Sequence, residues 1–227
     1  MSGQPAPLSQ RAGVRPAVRH PIFARLYALV GPLMDRGGLA DRRRELLAGL
    51  AGRVIEVGAG SGLNFTHYPP AVTGVLAVEP EPRLRRIAER AAGQVSVPVE
   101  VVDAVAERLP AGDGGFDAAV ASLVLCTVSD PQRAMRELHR VIRPGGELRF
   151  LEHVRADGGA LRRVQRLLDA TGWPAFSGGC HTSRDAVALI TEAGFTLDRI
   201  SRFRFPEGGV TMPTSPHVLG AASRPAP

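Results

Sequence analysis

Seven residues, Glu56-Val57-Gly58-Ala59-Gly60-Ser61-Gly62, constrain this chain more than any others. A short run, Arg53-Val54-Ile55, precedes them and reads as a buried strand. Leu63-Asn64-Phe65 follows and opens a helix expected over 62–68. Glycines between a strand and a helix let the backbone turn tightly and let a ligand approach closely. The helix N-terminus behind them offers free N–H groups. The spacing is Gly-x-Gly-x-Gly; a dinucleotide fingerprint needs glycine at 63, where this chain has leucine.

Two acids sharpen the reading. Glu79 ends the next apolar run, Val75-Leu76-Ala77-Val78, and lies 21 residues after Gly58. An acid at the end of the second strand, about 20 residues on, can take the hydroxyls of a ribose. Glu56 stands just before the glycines, where a carboxylate attracts a cation or a ligand amine and repels the pyrophosphate of a dinucleotide. S-adenosylmethionine presents an amino acid and a sulfonium at that place. A solvated strand-end acid is the plainer reading of Glu56; taken with Glu79, the cofactor reading is favoured.

Val-Ile-Glu-Val-Gly-Ala-Gly-Ser-Gly (54–62), Ala-Val-Glu-Pro (77–80) and Arg-Val-Ile-Arg-Pro-Gly-Gly-Glu-Leu (140–148) come in this order. Together they resemble a class I S-adenosylmethionine-dependent methyltransferase, over roughly residues 45–155. A narrower resemblance rests on Asn64-Phe65 with Tyr68-Pro69-Pro70, Ser122 to Cys126, Phe150 to Val154, and the late Gly-Cys-His and Pro-His-Val-Leu-Gly segments. These are similar to the methyltransferase-like seven group, whose animal members methylate small alkyl thiols. The resemblance implies a doubly wound, Rossmann-like α/β fold with a mainly parallel seven-stranded sheet, a C-terminal antiparallel hairpin and N-terminal cap helices. It implies S-adenosyl-L-methionine as cofactor and a small-molecule methyl acceptor, either a thiol or a hydrophobic metabolite.

The chain's own pattern agrees. Strands read at 53–57, 73–78, 97–103, 116–122 and 146–154, with helices at 62–68, 80–92, 131–142 and around 159–171. That alternation is the rhythm of a parallel sheet with helices on both faces. A helix over 183–193 and strands at 195–205 and 217–223 follow. The expected organisation is a disordered leader (1–19), cap helices (20–50), a cofactor-binding core (51–155), and a substrate region with sheet-closing strands (156–227), all in one domain. Ile22, Phe23, Leu26, Tyr27, Val30, Leu33 and Met34 fall on one helical face, which Gly31-Pro32 interrupts. Three readings stay open for 21–34: a cofactor cover, packing on the sheet edge, or peripheral contact with a membrane. Arg42-Arg43-Arg44, on the next helix, read as facing outward.

Composition prunes the alternatives. The 28 basic side chains are all arginine, which excludes a Walker lysine, a Schiff-base lysine and a Tyr-x-x-x-Lys pair. Net charge is +6, yet the arginines are scattered and aromatics make up 5%, too few for a nucleic-acid stacking platform. The two cysteines, Cys126 and Cys180, form no Cys-x-x-Cys. Cys180-His181 alone makes a poor metal site, so no metal is expected, and Cys126 reads as a small buried residue. Residues 1–20 lack the apolar core of a signal peptide and no apolar run reaches 18 residues, so a cytoplasmic protein with reduced thiols is the expectation.

For the cofactor the candidate residues are Glu56, Gly58, Ala59, Gly60, Asn64, Glu79, Pro80, Val105, Ala106, Ser122 and Leu123. Related enzymes often hold the adenine amino group with an Asp where this chain has Val105; Asp103 lies two residues early, so backbone groups at 105–106 are expected to serve. A thiol acceptor reacts as thiolate, and His153, His181 and His217 are the candidate bases, with Arg184 as electrostatic helper and Asp169 as orienter. Against this stand a cofactor-binding protein without turnover and a nicotinamide oxidoreductase on the same fold.

Overall fold

The structure is a computed structural model that describes residues 20–226; the expected leader at 1–19 lies outside them. Seven strands form one sheet: β1 (Gly52–Val57), β2 (Val72–Val78), β3 (Val99–Val102), β4 (Phe116–Ser122), β5 (Ile142–His153), β6 (Thr196–Arg204) and β7 (Pro216–Ser223). Their order is β3-β2-β1-β4-β5-β7-β6. β1 to β5 pair in parallel, while β7 runs antiparallel between β5 and β6. The order reverses between β1 and β4, and at such a switch point open α/β sheets bind their ligands.

The central strands are mainly apolar because helices cover both faces. Alternate residues part cleanly. Ile55, Val57, Leu76, Val78, Ala119, Ala121 and Phe150 pack with Ala134, Met135 and Leu138 of α4 (Pro131–Val141) and Ile190 of α7 (Ala186–Glu192). Val54, Val75, Ala77, Ala118 and Val120 face the other way, onto Leu46 and Leu47 of α2 (Ala40–Leu47) and Ala88 of α3 (Pro82–Ala92).

Several boundaries differ from the sequence reading, each for a local reason. α3 starts at Pro82, not Pro80, because the Glu81 carboxylate caps it, accepting from the N–H groups of Arg83 and Leu84. The helix expected at 62–68 is a turn with one 3₁₀ stretch, Phe65–His67: Gly62 is left-handed (φ +82°) and stops an α-helix from forming through it. α7 begins late because Asp185 is its cap, accepting from Ala188 N. The helix expected around 159–171 is α5 (Gly159–Asp169), and a separate short helix, α6 (Trp173–Phe176), follows it.

At the N-terminus, α1 (Pro21–Met34) runs through Gly31-Pro32 without a break. The kink comes later, at Gly38 (φ +115°) inside the π-helical stretch Asp35–Leu39 that leads into α2. The apolar residues of α1 divide between two faces. Phe23 and Tyr27 turn inward with stacked rings 5.7 Å apart, while Ile22, Leu26, Leu29 and Leu33 are exposed. No helix among the described residues is long and apolar enough to cross a membrane.

Candidate active site

A cleft of about 570 Å³ opens over the carboxyl ends of β1, β2 and β4. Its lining includes Gly58, Gly60, Glu79, Pro80, Val105, Ala106 and Leu123, seven of the eleven residues expected to meet a cofactor. Phe23 and Tyr27 of α1, Thr127 and Gly178 also line it, with Gly178 packed against the Phe23 ring.

The cleft's floor depends on the loop glycines. Gly58 and Gly60 take φ of +65° and +58°, where an L side chain is strained. A Cβ on Gly58 would overlap the Val124 side chain, whereas one on Gly60 would come within 3.2 Å of the Tyr27 ring. Leu123 is also left-handed (φ +56°), an uncommon state for a branched residue. It turns the chain at the end of β4 so that Val124 N and Leu125 N donate to the buried Glu152 carboxylate, each at 3.0 Å.

Glu79 is placed by the loop itself. Gly60 N donates to Oε2 at 2.7 Å and Glu81 N donates to Oε1 at 2.8 Å. Each oxygen keeps a lone pair, and the carboxylate lines the cleft. Burial outweighs those bonds and pushes its pKa up to about 7. This geometry suits a pair of ribose hydroxyls, which would donate to it.

Glu56, Asn64, Ala59 and Ser122 lie beneath the cleft rather than in its lining. The Glu56 carboxylate accepts from Asn64 Nδ2 at 2.8 Å and from Tyr68 Oη at 2.7 Å, and burial pushes it up to about 7. Arg43 completes this layer. It is buried, not outward-facing, and donates to Asp35 Oδ1 (2.9 Å), Asn64 Oδ1 (2.9 Å) and Ser122 Oγ (3.1 Å). An arginine triplet on a polar helix face reads as solvated; only the kink at Gly38, which lays α2 against the loop, turns its middle member inward. Phe23 and Tyr27 of α1 and residues Val105 and Ala106 share the cleft's lining. Asp103 is ion-paired to Arg85 at 3.3 Å.

None of His153, His181 and His217 is in the cleft's lining. His153 and His217 are register partners on β5 and β7, one layer behind. His217 stacks on Phe203 (5.3 Å between centroids) and its Nδ1 meets Ser215 O at 2.9 Å. Burial pulls it down to about 4, so it is neutral at physiological pH. His153 Nε2 lies 3.3 Å from Cys180 Sγ. Burial pulls His153 down, but the hydrogen bond to Cys180 and the negative charge there prevail and its pKa is raised. His181 is half-buried, and its backbone N–H donates to Cys126 O at 2.9 Å. Asp169 does not orient a histidine through a hydrogen bond; it ties down the loop before α7, accepting from the backbone N–H and the hydroxyl of both Thr182 and Ser183. Arg184 donates to Leu125 O and Val128 O, bracing the turn after β4.

Comparison with known proteins gives a consistent answer. Residues 55–150 match the methyltransferase-domain family. The chain is 30% identical to the human thiol S-methyltransferase TMT1B over 211 residues, 88% of this chain and 85% of that protein. It is 32% identical to human TMT1A, covering 81% and 79%. Among solved structures, an S-adenosylmethionine-dependent methyltransferase of Thermotoga maritima superposes with a TM-score of 0.65 at 23% identity, covering 89% of this chain and 98% of that one.

Proposed function

The chain belongs to the class I S-adenosylmethionine-dependent methyltransferases and methylates a small molecule, and from that premise we propose that its acceptor atom is the sulfur of a small thiol. One observation carries the choice of thiol: the likeness to two human thiol S-methyltransferases runs through 79–85% of their length, well beyond the cofactor-binding core.

S-adenosyl-L-methionine supplies a methyl group already activated on a sulfonium. The chain's task is therefore to position and to exclude water. On our reading Glu79 takes the ribose hydroxyls, the backbone at Val105–Ala106 flanks the adenine, and Gly58 and Gly60 allow the close approach. Glu56, Asn64 and Arg43 hold the loop from below as positioning residues. Phe23 and Tyr27 cover the cleft from α1 and give it an apolar wall. A near-attack placement of this kind contributes roughly 7–11 kcal/mol. His217, neutral and enclosed by Phe203 and Phe205, is the weakest of the three histidines as a proton carrier. His153, already paired with Cys180, and His181 are the stronger candidates.

The exposed stripe Ile22, Leu26, Leu29 and Leu33 on α1 fits peripheral contact with a membrane surface, beside Arg25 and Arg36. Two free, buried thiols fit a reducing compartment such as the cytoplasm.

The test is turnover of the purified protein with the cofactor against alkyl thiols, quinols and phenols, followed as S-adenosylhomocysteine. Thioether product from thiols alone is expected. Turnover of quinols or phenols with silence on thiols would overturn the choice of acceptor and leave the family standing.

A further inference from the structure

Next to Thr127 and Gly178 of the cleft's lining, three segments distant in sequence bring soft ligands together. Cys126 comes from the turn after β4, His153 from the end of β5, and Cys180 from the loop between α6 and α7. Both sulfurs and a ring nitrogen of His153 lie within 4.8 Å of one another, with His153 Nε2 to Cys180 Sγ at 3.3 Å. All three side chains are buried, and both cysteines are free thiols. The sequence offered Cys180 with His181, two residues adjacent in the chain; the fold instead pairs Cys180 with His153 and adds Cys126.

We propose that Cys126 Sγ, Cys180 Sγ and His153 Nε2 form a binding site for a soft d¹⁰ cation, with Zn²⁺ the natural candidate. Tetrahedral zinc, with Zn–S about 2.3 Å and Zn–N about 2.0–2.1 Å, sets its ligand atoms about 3.5–3.8 Å apart. The one spacing resolved singly, 3.3 Å from His153 Nε2 to Cys180 Sγ, lies just under that range, and no pair of the three atoms exceeds 4.8 Å. Two sulfurs and an imidazole select zinc or a monovalent coinage metal over magnesium or calcium, which take oxygen. Three protein ligands are also the number that leaves one position open. The surroundings suit a cation. The buried Glu152 oxygen Oε2 has no hydrogen-bond partner. The loop is built to hold its shape. Buried Gln165 donates to the carbonyls of Val154, Thr182 and Pro213 and accepts from Ala156 N, while Asp169 fixes Thr182 and Ser183.

The experiment needs neither acceptor nor cofactor, so its failure is separate from failure of the thiol reading. The full chain is reduced, freed of reductant without oxygen, and titrated with Zn²⁺ against a chromophoric chelator, and with Co²⁺ by absorption. One equivalent of zinc at sub-micromolar affinity is expected, along with thiolate-to-cobalt charge transfer and intense tetrahedral d–d bands. Cys126→Ser, Cys180→Ser and His153→Gln should each weaken zinc at least tenfold, while His139→Gln, on α4, leaves it unchanged. Cofactor binding by each variant reports its fold, and the cobalt spectrum of the unaltered protein identifies the ligands should a variant not fold. Zinc no tighter than micromolar, an octahedral oxygen-type cobalt spectrum, or a Cys126–Cys180 disulfide forming in the metal-loaded protein would each overturn the site.

Discussion

Gly58 and Glu79 are the two residues on which the cleft most directly turns, and each has a measurable signature. Gly58→Ala puts a methyl group into the Val124 side chain at a left-handed φ of +65°. A loss of more than about 2 kcal/mol in unfolding free energy is expected, from strain and overpacking together, with cofactor binding abolished in calorimetry. Gly60→Ala meets only the edge of the Tyr27 ring, so it should bind weakly rather than not at all. Glu79→Gln places an amide N–H₂ against a backbone N–H and loses a charge-assisted acceptor. Cofactor affinity should fall by about 1.5–3 kcal/mol, roughly 10- to 150-fold. Because burial lifts Glu79 to about 7, ribose hydroxyls would bind best to its ionised form. Affinity should therefore decline as pH is lowered through 7, with proton release on binding near neutrality, and Glu79→Gln should flatten that dependence. Both residues were legible from the sequence, because a glycine loop and an acid at a fixed distance from it are local facts. Arg43 was not: its burial arises from a helix kink that no spacing in the chain announces.

That kink makes the N-terminal helices a part of the site rather than an appendage. α2 is anchored at its middle and at its C-terminal end. Arg43 reaches the loop from its middle, while Arg149 of β5 donates to the carbonyls of Leu46 and Ala48 at its C-terminus, each at 3.1 Å. Arg43→Met removes the buried member of its pair with the partly buried Asp35 (2.9 Å) and leaves Asn64 and Ser122 without their donor. A loss of about 3–5 kcal/mol in urea unfolding is expected, with weaker cofactor binding among the molecules that remain folded. α1 raises a different question. Its inward face was legible as an apolar stripe, but helical periodicity does not say that Phe23 and Tyr27 would be separated from Ile22, Leu26, Leu29 and Leu33. If the outer stripe contacts membranes, Leu26→Ser with Leu29→Ser should release the protein from sedimenting anionic vesicles while cofactor affinity stays unchanged. Equal sedimentation of both forms would remove that reading. Six of the seven β-strands were read to within two residues at each end, the central ones because apolar runs in a parallel sheet are buried on both faces, whereas β5 begins at Ile142, four residues before the start that was read. The loop between α6 and α7 was not, since the contact of Cys180 with His153 and the tie of Asp169 to Thr182 depend on how α5 packs.

Across the whole molecule, the carboxyl edge of the sheet is organised for function at a cost in stability. Glu56 and Glu79 are both buried there, and burial lifts each from 4.5 to about 7. A carboxyl whose folded pKa is raised gives its full contribution below the unfolded value and loses it as pH climbs through the folded one. The cofactor-free protein thus carries a penalty between about pH 4.5 and 7 and the full penalty above, on the order of 3 kcal/mol per group. His217, pulled down to about 4, acts with the opposite sign between pH 4 and 6.5, so a single stability curve would mix the two. A difference between two proteins separates them. Glu56→Gln keeps its acceptor for Asn64 Nδ2 and can donate to Tyr68 Oη, whose hydroxyl turns to accept, while the buried charge disappears. Its stability relative to the unaltered protein should be near zero or negative at pH 4.5 and rise to about +1 to +3 kcal/mol by pH 8, measured by denaturant unfolding. Its cofactor affinity should fall at the same time, because the loop has lost the charge that Arg43 and Asn64 are arranged around. A variant more stable at pH 8 and weaker in binding is what a strained site produces. A pH-independent difference would mean that Glu56 is protonated throughout, and that the layer beneath the glycine loop works by hydrogen bonds alone.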